Sequence, residues 1–274
     1  MGILVEAAEL VGTRLGDDLE SITVERVVVG LFFTGVKLSN GSGGVCFTPI
    51  KAIPEAVCCP SSAGRIFDPL NARGMKVTKA LSALSSREPI KTAVAVATLN
   101  ALSATCWDRG LKGPYDIQTG VDAQDVIKTP GSASVAVVGA FTPVLKKLKN
   151  RGGRWWVIEQ DRTTLKSDEL DHFVPAERSE DVIKEAEVLI ITGVTLVNHT
   201  LDHILDTAKA GAEIAVIGPT ASLLPEPLFE RGVRVVGGVW VKKSDQLLDV
   251  LAAGGSGYHF FDSLAHRIVI EKEI

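Results

Sequence analysis

The sequence predicts an α/β protein in which a smaller α+β unit precedes a Rossmann-like, doubly wound parallel sheet. Three observations predict it. Strand-like runs cluster before Thr48 and helix-like runs follow them, the order of an α+β unit. Beyond residue 130 strands and helices alternate regularly. In that half, apolar runs such as VAVVGAF and VLIITGV suit strands buried on both faces. The expected units are residues 1–130 and 131–274.

Leu4, Ala7, Ala8, Val11 and Leu15 recur at helical spacing and predict an amphipathic first helix. Ile22–Leu38 then alternates in the manner of paired strands. A Gly/Ser/Asn turn at Asn40–Gly44 and a short strand at Val45–Thr48 complete an antiparallel meander. Helices are expected over Ala72–Leu84 and Pro89–Cys106, with Pro89 in a first turn that needs no N–H. Asp108–Ser134, rich in Gly, Pro and polar residues, reads as a linker with one helical turn at VDAQDVI. Five strands follow, at Ser134–Gly139, Trp155–Glu159, Val188–Thr192, Glu213–Gly218 and Val233–Gly237. Helices fill the gaps at Pro143–Asn150, Ser179–Ala186, Thr200–Lys209, Pro225–Glu230 and Ser244–Ala252.

Composition narrows the function classes. The 274 residues are 46% hydrophobic and 5% aromatic, so the core is expected to be aliphatic. A net charge of -4 and the lack of Lys/Arg blocks argue against nucleic acid and anionic membranes as partners. No apolar run has the length of a span, and Glu6 and Glu9 interrupt the first. Cys46, Cys58, Cys59 and Cys106 form no CxxC, which favours reduced thiols and a cytoplasmic location.

Ligands of open α/β sheets lie beyond the strand carboxyl ends, so the strand-to-helix loops carry the functional weight. The first, Gly139-Ala140-Phe141-Thr142-Pro143, reads either as an anion cradle or as a helix start capped by Thr142. Glu159 ends the second strand about 20 residues after Gly139, where nucleotide-binding sheets place a ribose-holding acid. It is also the one candidate catalytic acid or base. No GxGxxG accompanies it. The third loop, Thr192-Gly193-Val194-Thr195-Leu196-Val197-Asn198-His199-Thr200, holds more polar groups than capping uses and reads as ligand-contacting. Gly218-Pro219-Thr220 could complete a cleft beside it, and Gly237-Gly238 permits close backbone approach.

Metal-ligand patterns are weaker. His199 and His203 stand four apart, but opposite the apolar stripe of Leu201, Ile204, Leu205 and Ala208, so a solvated face is the plainer reading. Cys58-Cys59 is a vicinal pair that would need further ligands to hold a soft metal.

The run VVGAFTPVLKKLK, VIEQD, ITGVTLVNHTLDHIL, VIGPTASLLPEPLF and GVRVVGGVWV resembles the putative heavy-metal chelation family over about Ser132–Lys242. GLFFTGV, GVCFTP and VAVATLNALSAT resemble that family's first domain. The resemblance implies an enolase-N-terminal-like first unit, a Rossmann-like second unit and a site in the cleft between them. It implies ligand contacts at Gly139, Phe141, Glu159, Thr192, Gly193, Thr195, Asn198, Thr200, Gly218, Pro219 and Thr220. Val194 departs from the pattern, where Thr is usual, and so does His199, where Gly is usual. The function so implied is binding of a metal, or of a metal-chelating small molecule, with a role in heavy-metal chelation or corrinoid metabolism. Two alternatives stay open: an enzyme acting on a small anionic metabolite, and a protein binding an adenosine nucleotide such as S-adenosylmethionine or NAD. The sequence identifies no cofactor; a transition metal is the class the resemblance allows. A homo-oligomer is also left open.

Overall fold

Helix α1 (Ile3–Leu15) forms where its spacing predicts and buries Ile3, Leu4, Ala7, Val11 and Leu15. In this computed structural model, which describes residues 2–52 and 67–272, a short turn of helix (α2, Asp18–Ser21) leads into the expected meander. Strands β1 (Val24–Val29), β2 (Phe33–Leu38) and β3 (Gly43–Phe47) pair antiparallel in that order. Helix α3 (Val77–Leu81) is shorter than expected and ends in a 3-10 turn over Ser82–Ser85.

Helix α4 (Pro89–Asp108) is buried on almost every side from Ile90 to Trp107. A helix apolar all round needs partners all round. Here the meander covers one side and the large sheet the other. Gly44 allows the closest approach: a Cβ there would lie 2.2 Å from the carbonyl oxygen of Ala97. The polar residues of α4 are bonded, save that the Asn100 Oδ1 oxygen is buried without a donor. The hydroxyls of Thr98, Ser103 and Thr105 donate to carbonyls four residues back, while Asn100 reaches across to other elements.

The second sheet has eight strands in the order β4-β11-β10-β9-β8-β5-β6-β7. The five predicted strands are β5 (Val135–Val138), β6 (Trp155–Glu159), β8 (Val188–Thr192), β9 (Glu213–Ile217) and β10 (Val233–Val241). They are parallel, with β7 (Phe173–Pro175) added beside β6. The stretch expected to be a linker supplies an edge strand, β4 (Ile117–Thr119), and a helical turn, α5 (Ala123–Val126). β4 pairs antiparallel with β11 (Ala265–Glu271), and β11 with β10. These edge strands escape the sequence pattern because their partners are distant in the chain, and three residues are too few to show a period.

Alternate side chains of each strand enter different cores. Val135, Val137, Ile190 and Ile217 pack under α6 (Thr142–Arg151) and α5. Ala136, Leu189, Ile191 and Val216 share one core with α1 and α4. The remaining crossovers are α7 (Ser179–Ile183), α8 (Val194–Val197), α9 (Leu201–Thr207) and α10 (Glu226–Glu230), while α11 (Ser244–Ala252) and α12 (Gly257–Phe260) lie in the connection from β10 to antiparallel β11. Ion pairs reinforce the contact of α1 with the second unit. Arg231 pairs with Glu6 at 2.6 Å, and Arg14 pairs with Glu226. Among the described residues no helix is long and apolar enough to cross a membrane.

Candidate functional site

In chain order from β5, the parallel strands stand as 3-2-1-4-5-6 across the sheet. That is the doubly wound order, with a switch point between β5 and β8 where ligands lie beyond the strand ends. Gly139, Thr192, Gly193 and Gly218 meet there. A Cβ on Gly139 would stand 3.1 Å from Cγ2 of Thr192, and one on Gly218 would stand 3.9 Å from the amide nitrogen of Gly193. Gly139 and Gly218 have φ of 100° and 122°, backbone that L side chains rarely adopt.

A cavity of about 190 Å³ opens beside this point. Phe141, Pro143 and Val144 form one wall, at the start of α6. Ile217, Gly218 and Pro219 and the backbone around Gly237-Gly238 form another. The third side is Val121–Gln124 with Phe261 and Arg267. Most of the lining is apolar; Asp122, Gln124 and Arg267 are the side chains that bring charge or an amide to it. Arg267 donates to Asp122 at 2.8 Å and to Asp262 at 2.5 Å. Asp262 accordingly holds the guanidinium pKa above its ordinary value, and Arg267 holds the Asp262 carboxyl below its own. Gln124 keeps its amide oxygen buried without a partner.

The cavity lies on the face carrying α5 and α6. On the opposite face, toward the meander and α4, the described side chains are largely bonded to one another, and a smaller cavity of about 100 Å³ remains between α1 and the third loop, lined by Thr195 and His199. Thr220 is buried and its hydroxyl accepts from the amide of Phe47 at 2.9 Å. Asn100 donates to the carbonyls of Val45 and Thr220, and the Ser103 hydroxyl accepts from the amide of Leu224. Around Thr220 and Asn100, where the sequence predicts an open cleft, the described residues form side-chain bonds and a continuous core.

The predicted residues divide accordingly. Phe141, Gly218 and Pro219 line the cavity, with Gly139, Thr192 and Gly193 at the adjoining strand ends. Glu159 braces the first loop: its carboxylate accepts from the amides of Ala140 at 3.1 Å and Gln160 at 2.8 Å. The N-terminal turn of α6 has no side-chain cap, and Thr142 lies inside the helix rather than capping it. Thr195 is buried and its hydroxyl donates to the carbonyl of Thr192 at 2.6 Å. Asn198 and Thr200 lie exposed at the far end of the third loop, where Asn198 accepts from the amide and hydroxyl of Thr200.

His199 has φ of 58°, so the position read as usually Gly is one whose backbone suits Gly. Its Nε2 meets the carbonyl of Ser86 at 3.0 Å, and His203 faces Glu180 at 3.1 Å. Cys58 and Cys59 lie outside the described residues. Among the described residues no three His, Cys, Asp or Glu side chains gather as a metal site. Sequence reasoning missed Asp122, Gln124, Phe261 and Arg267. Phe261 and Arg267 adjoin or belong to a strand it did not foresee.

Two family models, each described as "Putative heavy-metal chelation", match residues 13–103 and 122–270. An uncharacterized protein of Methanocaldococcus jannaschii is 25% identical over 185 residues, 67% of each chain. A protein of unknown function of the DUF364 family from Pyrococcus horikoshii has a similar solved structure. It is 22% identical, with a TM-score of 0.76 over 99% of this chain and 100% of its own. A second, from Desulfitobacterium hafniense, is 19% identical with a TM-score of 0.73 over 98% of this chain and 100% of its own. At these identities the structures speak for the fold alone. The match over residues 122–270, more than half of the sequence, shows that the chain belongs to the DUF364 family.

Proposed function

We propose that the protein binds a small organic molecule, one that chelates metal, through the cavity beside the β5–β8 switch point. The observation that carries this reading is the cavity's lining: apolar side chains and glycine backbone, with few polar groups. Such a lining suits an organic ring better than a bare ion, which needs several converging donors. Size agrees. An apolar cavity of about 150 Å³ accommodates benzene, so this one admits a substituted ring, or one ring of a larger chelator. The family description supports the link to metals. A cytoplasmic location fits the free, buried Cys46 and Cys106.

The strand order favours a second reading, an adenosine-bearing ligand. Against it, the Glu159 carboxylate that would hold a ribose is already engaged by two backbone amides.

Mass spectrometry of protein purified anaerobically, without an affinity metal column, tests the proposal. Wild type is expected to retain an organic molecule that Val121→Trp, which fills the cavity, releases. The double variant Cys58→Ser/Cys59→Ser should retain it. A stoichiometric metal ion held by wild type and by Val121→Trp, with no organic molecule, would overturn the reading.

A further inference from the structure

We infer that the cavity selects ligands whose polar head is neutral or cationic and donates hydrogen bonds, and that it rejects anions. This rests on the cavity being the binding site and specifies what it takes. The charge around the cavity is negative. Arg267 is the cation in the lining, and it stands between two carboxylates, Asp122 at 2.8 Å and Asp262 at 2.5 Å. The trio sums to one net negative charge. An anionic head would meet that excess in a partly desolvated place, where like charges repel more than in water.

The loop before α6 does not offset this charge. The turn Gly139-Ala140-Phe141 opens α6 and is where backbone N–H groups would receive an anion. The protein supplies that anion itself. Glu159 takes the Ala140 amide at 3.1 Å, so a second carboxylate there would face the first. Lys147, on the same helix, is tied at Nζ to Asp125 and to the carbonyl of Gln124.

The wall also offers a hydrogen-bond acceptor. The Asp122 Oδ1 oxygen receives one backbone bond, from the Gln124 amide at 3.2 Å, and has acceptor capacity left. Gln124 adjoins the cavity, but its amide oxygen is buried away from it. A ligand N–H placed against the Asp122 carboxylate adds a charge-assisted hydrogen bond. The aromatic rings of Phe141 and Phe261 and the Gly237-Gly238 backbone accommodate a flat body behind such a head. The ligand class is therefore a ring bearing an amine, amidine or amide N–H.

Three probes of nearly one shape separate the possibilities: benzamidine, benzamide and benzoate. Binding is followed by chemical-shift changes in ¹⁵N-labelled protein, which also report folding. Benzamidine is expected to bind at least tenfold more tightly than benzoate, with benzamide between them. Asp122→Asn should shrink that ratio several-fold, and Gln124→Glu, which adds negative charge to the wall, should enlarge it. Benzoate binding as well as benzamidine overturns the inference and leaves the proposed site standing. Failure of all three to shift resonances of the cavity residues at millimolar concentration overturns the site, and the inference with it.

Discussion

The side-chain amide of Asn100 donates to the carbonyl of Thr220 at 3.0 Å and to that of Val45 at 2.8 Å, joining α4, β3 and the loop after β9 at one buried point. Asn100 is 1% exposed, so neither carbonyl finds water if the amide is removed. Asn100→Ala is expected to cost about 2 kcal/mol: two buried acceptors lose their donor, offset in part by removal of the unpartnered Oδ1. Asn100→Asp should cost at least as much, because it turns an acceptor toward acceptors. Denaturant unfolding measures both; a loss below 1 kcal/mol (roughly one exposed hydrogen bond) would remove this joint from the account.

Gly44 and Gly41 make a contrasting pair. A Cβ on Gly44 meets α4 backbone at 2.2 Å and 2.4 Å, while one on Gly41 meets nothing within 4 Å. Gly44→Ala must push α4 off the meander and is expected to lose about 3 kcal/mol or more. Gly41→Ala pays only for its φ of 90°, about 1 kcal/mol. Thermal denaturation of the two variants side by side tests the ranking.

At His199 two effects oppose each other. The left-handed backbone costs a residue other than Gly about 1 kcal/mol, and the imidazole bond to Ser86 returns a similar amount. His199→Gly should thus change stability little, whereas His199→Ala, which keeps the strain and loses the bond, should destabilise by about 1 kcal/mol. If the histidine instead holds a metal, both variants would lose bound metal, which elemental analysis detects.

Burial pushes the Cys106 thiol up to about 11 and raises that of Cys46 further. Both should resist alkylation at pH 8 in the folded protein and react on unfolding. The linkage has a definite sign. An unfolded thiol titrates near about 8.5, so Cys106 does not penalise folding below that pH. From there up through about 11 the unfolded state loses the proton first, and stability falls. Cys106→Ala should show a shallower alkaline decline in melting temperature than wild type. An equal decline would mean that other groups dominate it.

Much of the architecture was readable in the chain. The spacing of Leu4, Ala7, Val11 and Leu15, and the apolar runs of β5 and β8, are local patterns with a period, and the elements formed where the period placed them. The loops after β5, β8 and β9 could also be named in advance, because glycines and hydroxyls at strand ends mark sharp turns whatever they later touch.

Their partners were another matter. Identical-looking loop residues met different fates: Phe141 and Pro219 line a cavity, Thr220 is spent on the amide of Phe47, and Thr200 stays in solvent. Glu159 has the position of a ligand-binding acid, yet its oxygens face the protein's own backbone. Arg267 and Asp122, 145 residues apart, meet only because β11 folds back along β10 and lays β4 at the edge. By itself the sequence determined the first helix, the meander and the five central parallel strands with their order, since these follow from short-range periodicity and turn geometry. Only the tertiary structure decided where cavities open beside the sheet and which polar groups adjoin them, because that depends on contacts between segments distant in the chain.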